Sequence, residues 1–202
     1  NLANEIGRVL IFSIVMILLI LAATTTSWFE PLLFMLTMGV AILINMGSNI
    51  IFGRISFLSY CVAAVLQLAV AMDYSIFLLH TFTAEKARGL GTEEAMENAL
   101  HLAVGSIVSS AITTVVGFVA LALMQFTIGR DIGFVLAKGI LCSLVTVLFL
   151  MPALIIRWHR FVERSQHRPL IPPLDGFAKG LFKVRHFFAA FCIILIVPAF
   201  VA

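Results

Sequence analysis

Residues 57–82 form an apolar run, FLSYCVAAVLQLAVAMDYSIFLLHTF, that carries one formal charge, Asp73. A helix needs about 20 apolar residues to cross the hydrocarbon core of a bilayer, so this run is long enough to span it. Further apolar runs lie at about 8–25, 31–52, 102–124 and 132–156, and another begins near Phe187. In lipid the backbone polar groups must be satisfied within the segment, which makes each run a helix. The expected fold class is all-α: a polytopic transmembrane helix bundle. Composition agrees, with 62% hydrophobic and 11% charged residues and a mean hydropathy of +1.13. A soluble domain has about 25% charged residues. The net charge of +3 gives no argument for a nucleic-acid partner; the bilayer is the expected surroundings.

A charge near the middle of a span costs roughly 2.5–3.5 kcal/mol on insertion scales. Asp73 is therefore the first candidate for function, as a carboxylate that binds and releases a proton. Burial favours the neutral form of such a group and a nearby cation favours the charged one. The plain alternative is a structural salt bridge. Tyr74, about 100° round the helix, adds a hydroxyl that addresses a different neighbour.

Short connections at 27–31, 53–56 and 127–131 make consecutive helices antiparallel neighbours. Lys and Arg sort by side. Nine lie in or beside the first loop, 83–101 and 157–186, against three on the other side, Arg8, Arg54 and Arg130. This places 157–186 in the cytoplasm. Residues 83–101 are expected to hold an interfacial helix broken by Gly89 and Gly91, with Thr92 as its N-cap. Met96, Leu100 and Ala103 form its apolar stripe. Residues 157–186 hold Arg157, Arg160, Arg164 and Arg168, then Pro169, Pro172 and Pro173. They read as a cytoplasmic linker (158–186) before the next span (187–202). The basic cluster has two readings: contact with anionic lipid head groups, or simple obedience to the orientation rule.

Other polar residues extend the candidate site. His80 follows Asp73 by seven residues on about the same face, as a path extension or an interfacial histidine. Gln67 is placed to hydrogen-bond between helices. The fourth run carries Gly105, Ser106, Ser109, Ser110, Thr113, Thr114 and Gly117 at spacings of three and four. Small faces of this kind pack closely in lipid, so this face is expected against the 57–82 helix, with Ser109, Ser110, Thr113 or Thr114 able to support a relay. Lys138 is the one basic residue inside a predicted span. It lies about 14 Å from Asp73 in depth, if the outer ends align, so snorkelling to the outer interface is expected over pairing. Pro152 reads as a helix-end or kink residue. Cys61, Cys142 and Cys192 have no metal or redox spacing and read as small buried hydrophobes. No nucleotide-binding or metal motif is present in the sequence; neither enzyme activity nor a cofactor is expected.

The segments AVAMDYSIFLLHTFTAEKARG, EAMENAL, SIVSSAITTVVGFVALALMQF and GRDIGFVLAKGILCSLVTVLFLMPAL, in this order, closely resemble the MMPL branch of the resistance-nodulation-division (RND) exporters. The resemblance implies two pseudo-equivalent bundles, twelve helices in all, each with a large extracytoplasmic domain. This chain would supply helices two to six of the first bundle and the start of helix seven. It begins at Asn1 and ends inside an apolar run, which also reads as a piece of a larger protein. Family resemblance places Asp73 and Tyr74 at the proton relay and implies export of lipids, drugs or other hydrophobic compounds across the cell membrane, driven by proton-motive force. The partners implied are protons, a hydrophobic substrate, the remaining half of the transporter and, as an option, further copies of the chain. The alternative is a non-transporting module like the sterol-sensing domains, acting as sensor or scaffold.

Overall fold

The computed structural model describes residues 2–25, 27–49, 57–124 and 126–165. Expectations for Arg54, for most of the linker with its prolines, for Cys192 and for the span from Phe187 lie outside the described residues. Five helices follow one another: α1 Leu2–Thr24, α2 Glu30–Gly47, α3 Phe57–Ala87, α4 Thr92–Ala122 and α5 Thr127–Arg164. Each of the five complete runs predicted from sequence falls on its own helix, and the described residues contain no strand. Helices α2 to α5 are long and apolar enough to cross a membrane. The chain is an all-α, multi-pass membrane bundle.

Helix ends follow local chemistry. Glu30 and Pro31 open α2; the carboxylate suits the positive helix end, and proline's missing N–H is no loss in the first turn. Gly89 closes α3 with φ +89°, a left-handed conformation that glycine adopts without a Cβ penalty. The connection to α4 is then only 88–91, where a broken interfacial helix was expected. Gly91, in extended conformation, is the N-cap of α4. Thr92, expected as the cap, is already helical, and its Oγ1 accepts a hydrogen bond from Lys86 Nζ at 2.5 Å. Both α3 and α4 have 31 residues, or about 46 Å, more than the roughly 30 Å hydrocarbon core. They run on into the polar segment between them.

Helix α5 is longer still, at 38 residues. It continues to Arg164, into the segment read as linker. Pro152 is buried and remains helical; the one residue with non-helical geometry is Trp158 (φ −115°, ψ 18°). The kink thus falls where the chain leaves its apolar run and not at the proline.

Helix α5 is the axis of the bundle, touched by α2, α3 and α4, while α1 lies at the edge against α2 and α3. Leu33, Phe34, Leu78, Met96, Ile140 and Met151 fill the centre. Lipid tails are as apolar as these side chains, so association rests on close packing and interhelical polar links. Close packing of α4 comes from Ala95, Ala99, Ala103 and Ala111, fully buried on a four-residue repeat whose remaining place, between the last two, is held by the buried Ile107. At its far end α4 meets Gly133 of α5, where a Cβ would sit 2.5 Å from Ala122 N and 2.6 Å from Phe118 O. The expected packing of the glycine-hydroxyl stripe against α3 is met only in part: Ser106, Ser110 and Thr114 face α3 across a cleft, and the rest of the stripe does not pack there. Gly105, Ser109, Thr113 and Gly117 are exposed, and a Cβ on Gly105 or Gly117 would meet nothing within 4 Å. Alanines give the same close approach without glycine's entropic cost, and they hold the contact face.

The loops that sequence assigns to one side meet at one end of the bundle. Ser27 Oγ donates to Val162 O at 3.0 Å and lies 2.6 Å from Ser165 Oγ. Phe29 stacks on Phe161 and meets Trp158 edge-on. Lys86 Nζ pairs with Glu163 at 3.1 Å. The α1–α2 turn, the α3–α4 turn and the end of α5 are thereby tied together.

Candidate functional site

Asp73 opens into a cleft of about 420 Å³ between α3 and α4. Val70, Asp73, Tyr74 and Phe77 recur every three to four residues, so one face of α3 supplies them all. Ser106, Ser110 and Thr114, four apart with Ile107 beside them, line the opposite wall. The carboxylate is exposed on the bundle surface and has no cation within ion-pairing distance among the described residues. Tyr74 is turned inward and 4% exposed; its buried hydroxyl hydrogen-bonds to none of the described residues.

The hydroxyls opposite Asp73 differ in what they can offer. Thr114 Oγ1 donates to Ser110 O at 2.9 Å, so its proton serves its own helix and its lone pairs face outward. Each serine hydroxyl both donates and accepts. Ser106 and Ser110 therefore give the cleft rotatable groups that suit a carboxylate in one protonation state and a carboxylic acid in the other.

The remaining sequence candidates fall elsewhere. Ser109 and Thr113 are exposed on α4, roughly 60–100° round the helix from Ser110 and off the cleft wall. Thr113 Oγ1 donates to Ser109 O at 2.9 Å. His80 is exposed on α3, away from the helix end, on the same stripe as Asp73 but outside the cleft wall. Lys138 is half-buried and reaches to the C-terminal end of α2, where Nζ donates to Asn45 O at 2.9 Å and to Asn49 Oδ1. The last carbonyls of a helix lack intrahelical partners and sit at the negative end of its dipole, which suits an ammonium.

Sequence reading missed the residues that organise this neighbourhood. Asn45 Nδ2 donates to Gln67 Oε1 at 2.7 Å. Gln67 Nε2 donates to Gly139 O at 3.2 Å and to Ser143 Oγ at 3.1 Å. The expected interhelical role of Gln67 is thus met, by partners on two helices. Gly139 is needed for the approach, since a Cβ there would lie 2.6 Å from Asn45 Nδ2. The network fixes α3 to α2 and α5 about 9 Å along the helix from Asp73. Asn45 was open to the reasoning used for Asp73, as a polar side chain inside an apolar run.

Residues 2–172, which include all five helices, match the model of the MMPL family. The chain belongs to the MMPL family. Relatives include the protein MJ1562 of Methanocaldococcus jannaschii, named as a membrane protein, 36% identical over 111 residues, which are 55% of this chain and 27% of that protein. The Streptomyces coelicolor protein SCO0839, also named as a membrane protein, is 31% identical over 129 residues, or 64% of this chain and 18% of its own length. ActII-3 of the same organism, again named as a membrane protein, is 28% identical over 166 residues, covering 77% of this chain and 23% of its own. This MMPL chain therefore spans between 18% and 27% of the length of these relatives.

Proposed function

We propose that this chain is the membrane core of one half of an exporter that carries lipids, drugs or other hydrophobic compounds across the cell membrane, driven by proton-motive force. Asp73 and Tyr74 belong to its proton relay. The observation that carries this reading is a carboxylate on an apolar helix, with no cation paired to it among the described residues, facing hydroxyls across an open cleft. Ionisable side chains within the membrane almost always face protein or a water-filled cavity. The α3–α4 face is thus an inner surface of the complete transporter, covered by the part of the protein beyond this bundle. Relatives several times longer than this chain support that view.

The chemistry follows from the groups at the cleft. Ionised Asp73 needs donors, which Ser106, Ser110 and the inward Tyr74 hydroxyl supply as the cleft closes. A proton taken up on the carboxylate neutralises it and removes that need. Helix α3 is then freer against α4, whose buried ridge is alanine; the side-chain link from Lys86 to Thr92 lies at the ends of the two helices, away from the cleft. Alternation between these two states would couple proton passage to helix movement.

The test uses full-length protein in proteoliposomes with an imposed pH gradient. Asp73→Asn is expected to abolish gradient-driven substrate efflux while expression and insertion persist. Tyr74→Phe, which loses only the hydroxyl, is expected to impair efflux less. Efflux at the wild-type rate in the Asp73→Asn protein refutes the relay and favours a sensor or scaffold role.

A further inference from the structure

The end of α5 presents a cluster of cations that its own bundle does not neutralise. Arg157, Arg160 and Arg164 are exposed and recur at three and four residues, which places them within about 60° of one another on the helix. Phe161 lies about 40° from Arg157 round the helix and is 59% exposed. None of the three guanidinium groups pairs with an acidic residue among those described. Glu163, the acid on this turn, is held by Lys86.

The cluster is also held in place. Phe29 stacks on Phe161 with ring centroids 5.8 Å apart. Ser27 binds Val162 O, and Trp28 N donates to Ser165 O. Arg157 directly follows the apolar run that ends at Ile156, so the cluster begins at the edge of the hydrocarbon core. Trp28, 63% exposed, and Phe161 mark the same level, where aromatic rings favour the boundary between lipid and water.

From this placement we propose that Arg157, Arg160 and Arg164, with Phe161, form a binding site for the head groups of anionic phospholipids. Planar guanidinium groups bind phosphate oxygens through paired hydrogen bonds. The exposed ring of Phe161 rests against the upper acyl chains. Lipid is favoured over a soluble anion because the cluster starts where the hydrocarbon ends and carries an exposed aromatic ring. The site lies on the turn that links α5 to the α1–α2 and α3–α4 connections, so bound lipid would brace that end of the bundle. The inference is independent of the proton relay.

Purified full-length protein in detergent is titrated with phosphatidylglycerol, phosphatidylcholine or inorganic phosphate. Bound lipid is counted by native mass spectrometry and the thermal midpoint is followed. Phosphatidylglycerol is expected to be retained and to raise the midpoint, while the other two do neither. R157Q/R160Q/R164Q is expected to bind phosphatidylglycerol more weakly, by about fivefold for each arginine removed. R157K/R160K/R164K, which keeps the charge but loses the paired hydrogen bonds, is expected to bind more weakly than the wild type and more tightly than the glutamine variant. If the triple glutamine protein does not fold, R160Q alone must show its fivefold loss. Equal retention of phosphatidylcholine and phosphatidylglycerol overturns the proposal, as does undiminished affinity in the glutamine variants. A response to inorganic phosphate equal to that for phosphatidylglycerol reassigns the site to a soluble anion.

Discussion

Gln67 shows what one uncharged polar side chain does in lipid. It accepts from Asn45 and donates to Gly139 O and Ser143 Oγ, so it ties three helices with one amide. Interhelical hydrogen bonds in membranes average about 0.6 kcal/mol and reach about 1.7 kcal/mol. Gln67→Leu removes these links and leaves buried polar atoms unpaired, a loss of about 1–3 kcal/mol. It is expected to lower the unfolding midpoint of the full-length protein in a denaturing-detergent titration. Gly139→Ala is expected to cost at least as much, because its Cβ would be 2.6 Å from Asn45 Nδ2 and 3.0 Å from Gln67 Oε1. Wild-type stability in both variants argues against a structural role for the network. Asp73 stood out in the sequence because a charge in lipid is costly on any scale. An asparagine costs less, and Asn45 passed unnoticed in its apolar run although it is fully buried.

Helix α4 is the element whose orientation sequence reading misplaced. Its stripe of glycines and hydroxyls has the spacing of a packing face, and so does its alanine ridge. Spacing alone does not choose between two such faces on one helix; the neighbours do. The bundle uses the alanines against its own core, while Ser106, Ser110 and Thr114 border the cleft. Helix ends were misread for a related reason. Hydropathy registers where lipid stops, whereas α3 and α4 stop at Gly89 and Gly91, well outside it. The true close contact of α4 is at Gly133, where added volume meets backbone atoms of Ala122 and Phe118 that cannot turn aside. Gly133→Ala is expected to destabilise the protein by about 1–3 kcal/mol, the usual cost of overpacking. Gly117→Ala, with nothing of this chain within 4 Å, is expected to leave the stability of this bundle nearly unchanged. Thermal unfolding of the two variants, made in this chain, separates them. Equal losses would mean that α4 packs through its glycine face after all.

At the scale of the whole molecule, the order of the five described helices and the ends they share were legible because bilayer thickness and antiparallel connection leave little freedom. Three connections assigned to one side by charge do meet at one end, through Ser27, Lys86, Glu163 and Ser165. The side of the membrane on which the joined end lies follows from charge. Nine basic residues against three predict that Arg157, Arg160 and Arg164 lie in the cytoplasm and Arg130 outside, because basic residues near span ends resist translocation. Single cysteines placed next to Arg164 and next to Arg130 in full-length protein test this, once reactive native cysteines are replaced. In intact cells an impermeant thiol reagent is expected to label the site beside Arg130 and to reach the site beside Arg164 only after the membrane is opened. The reverse pattern would invert the bundle. It would also place the open end of α5, and with it any lipid bound there, in the opposite leaflet.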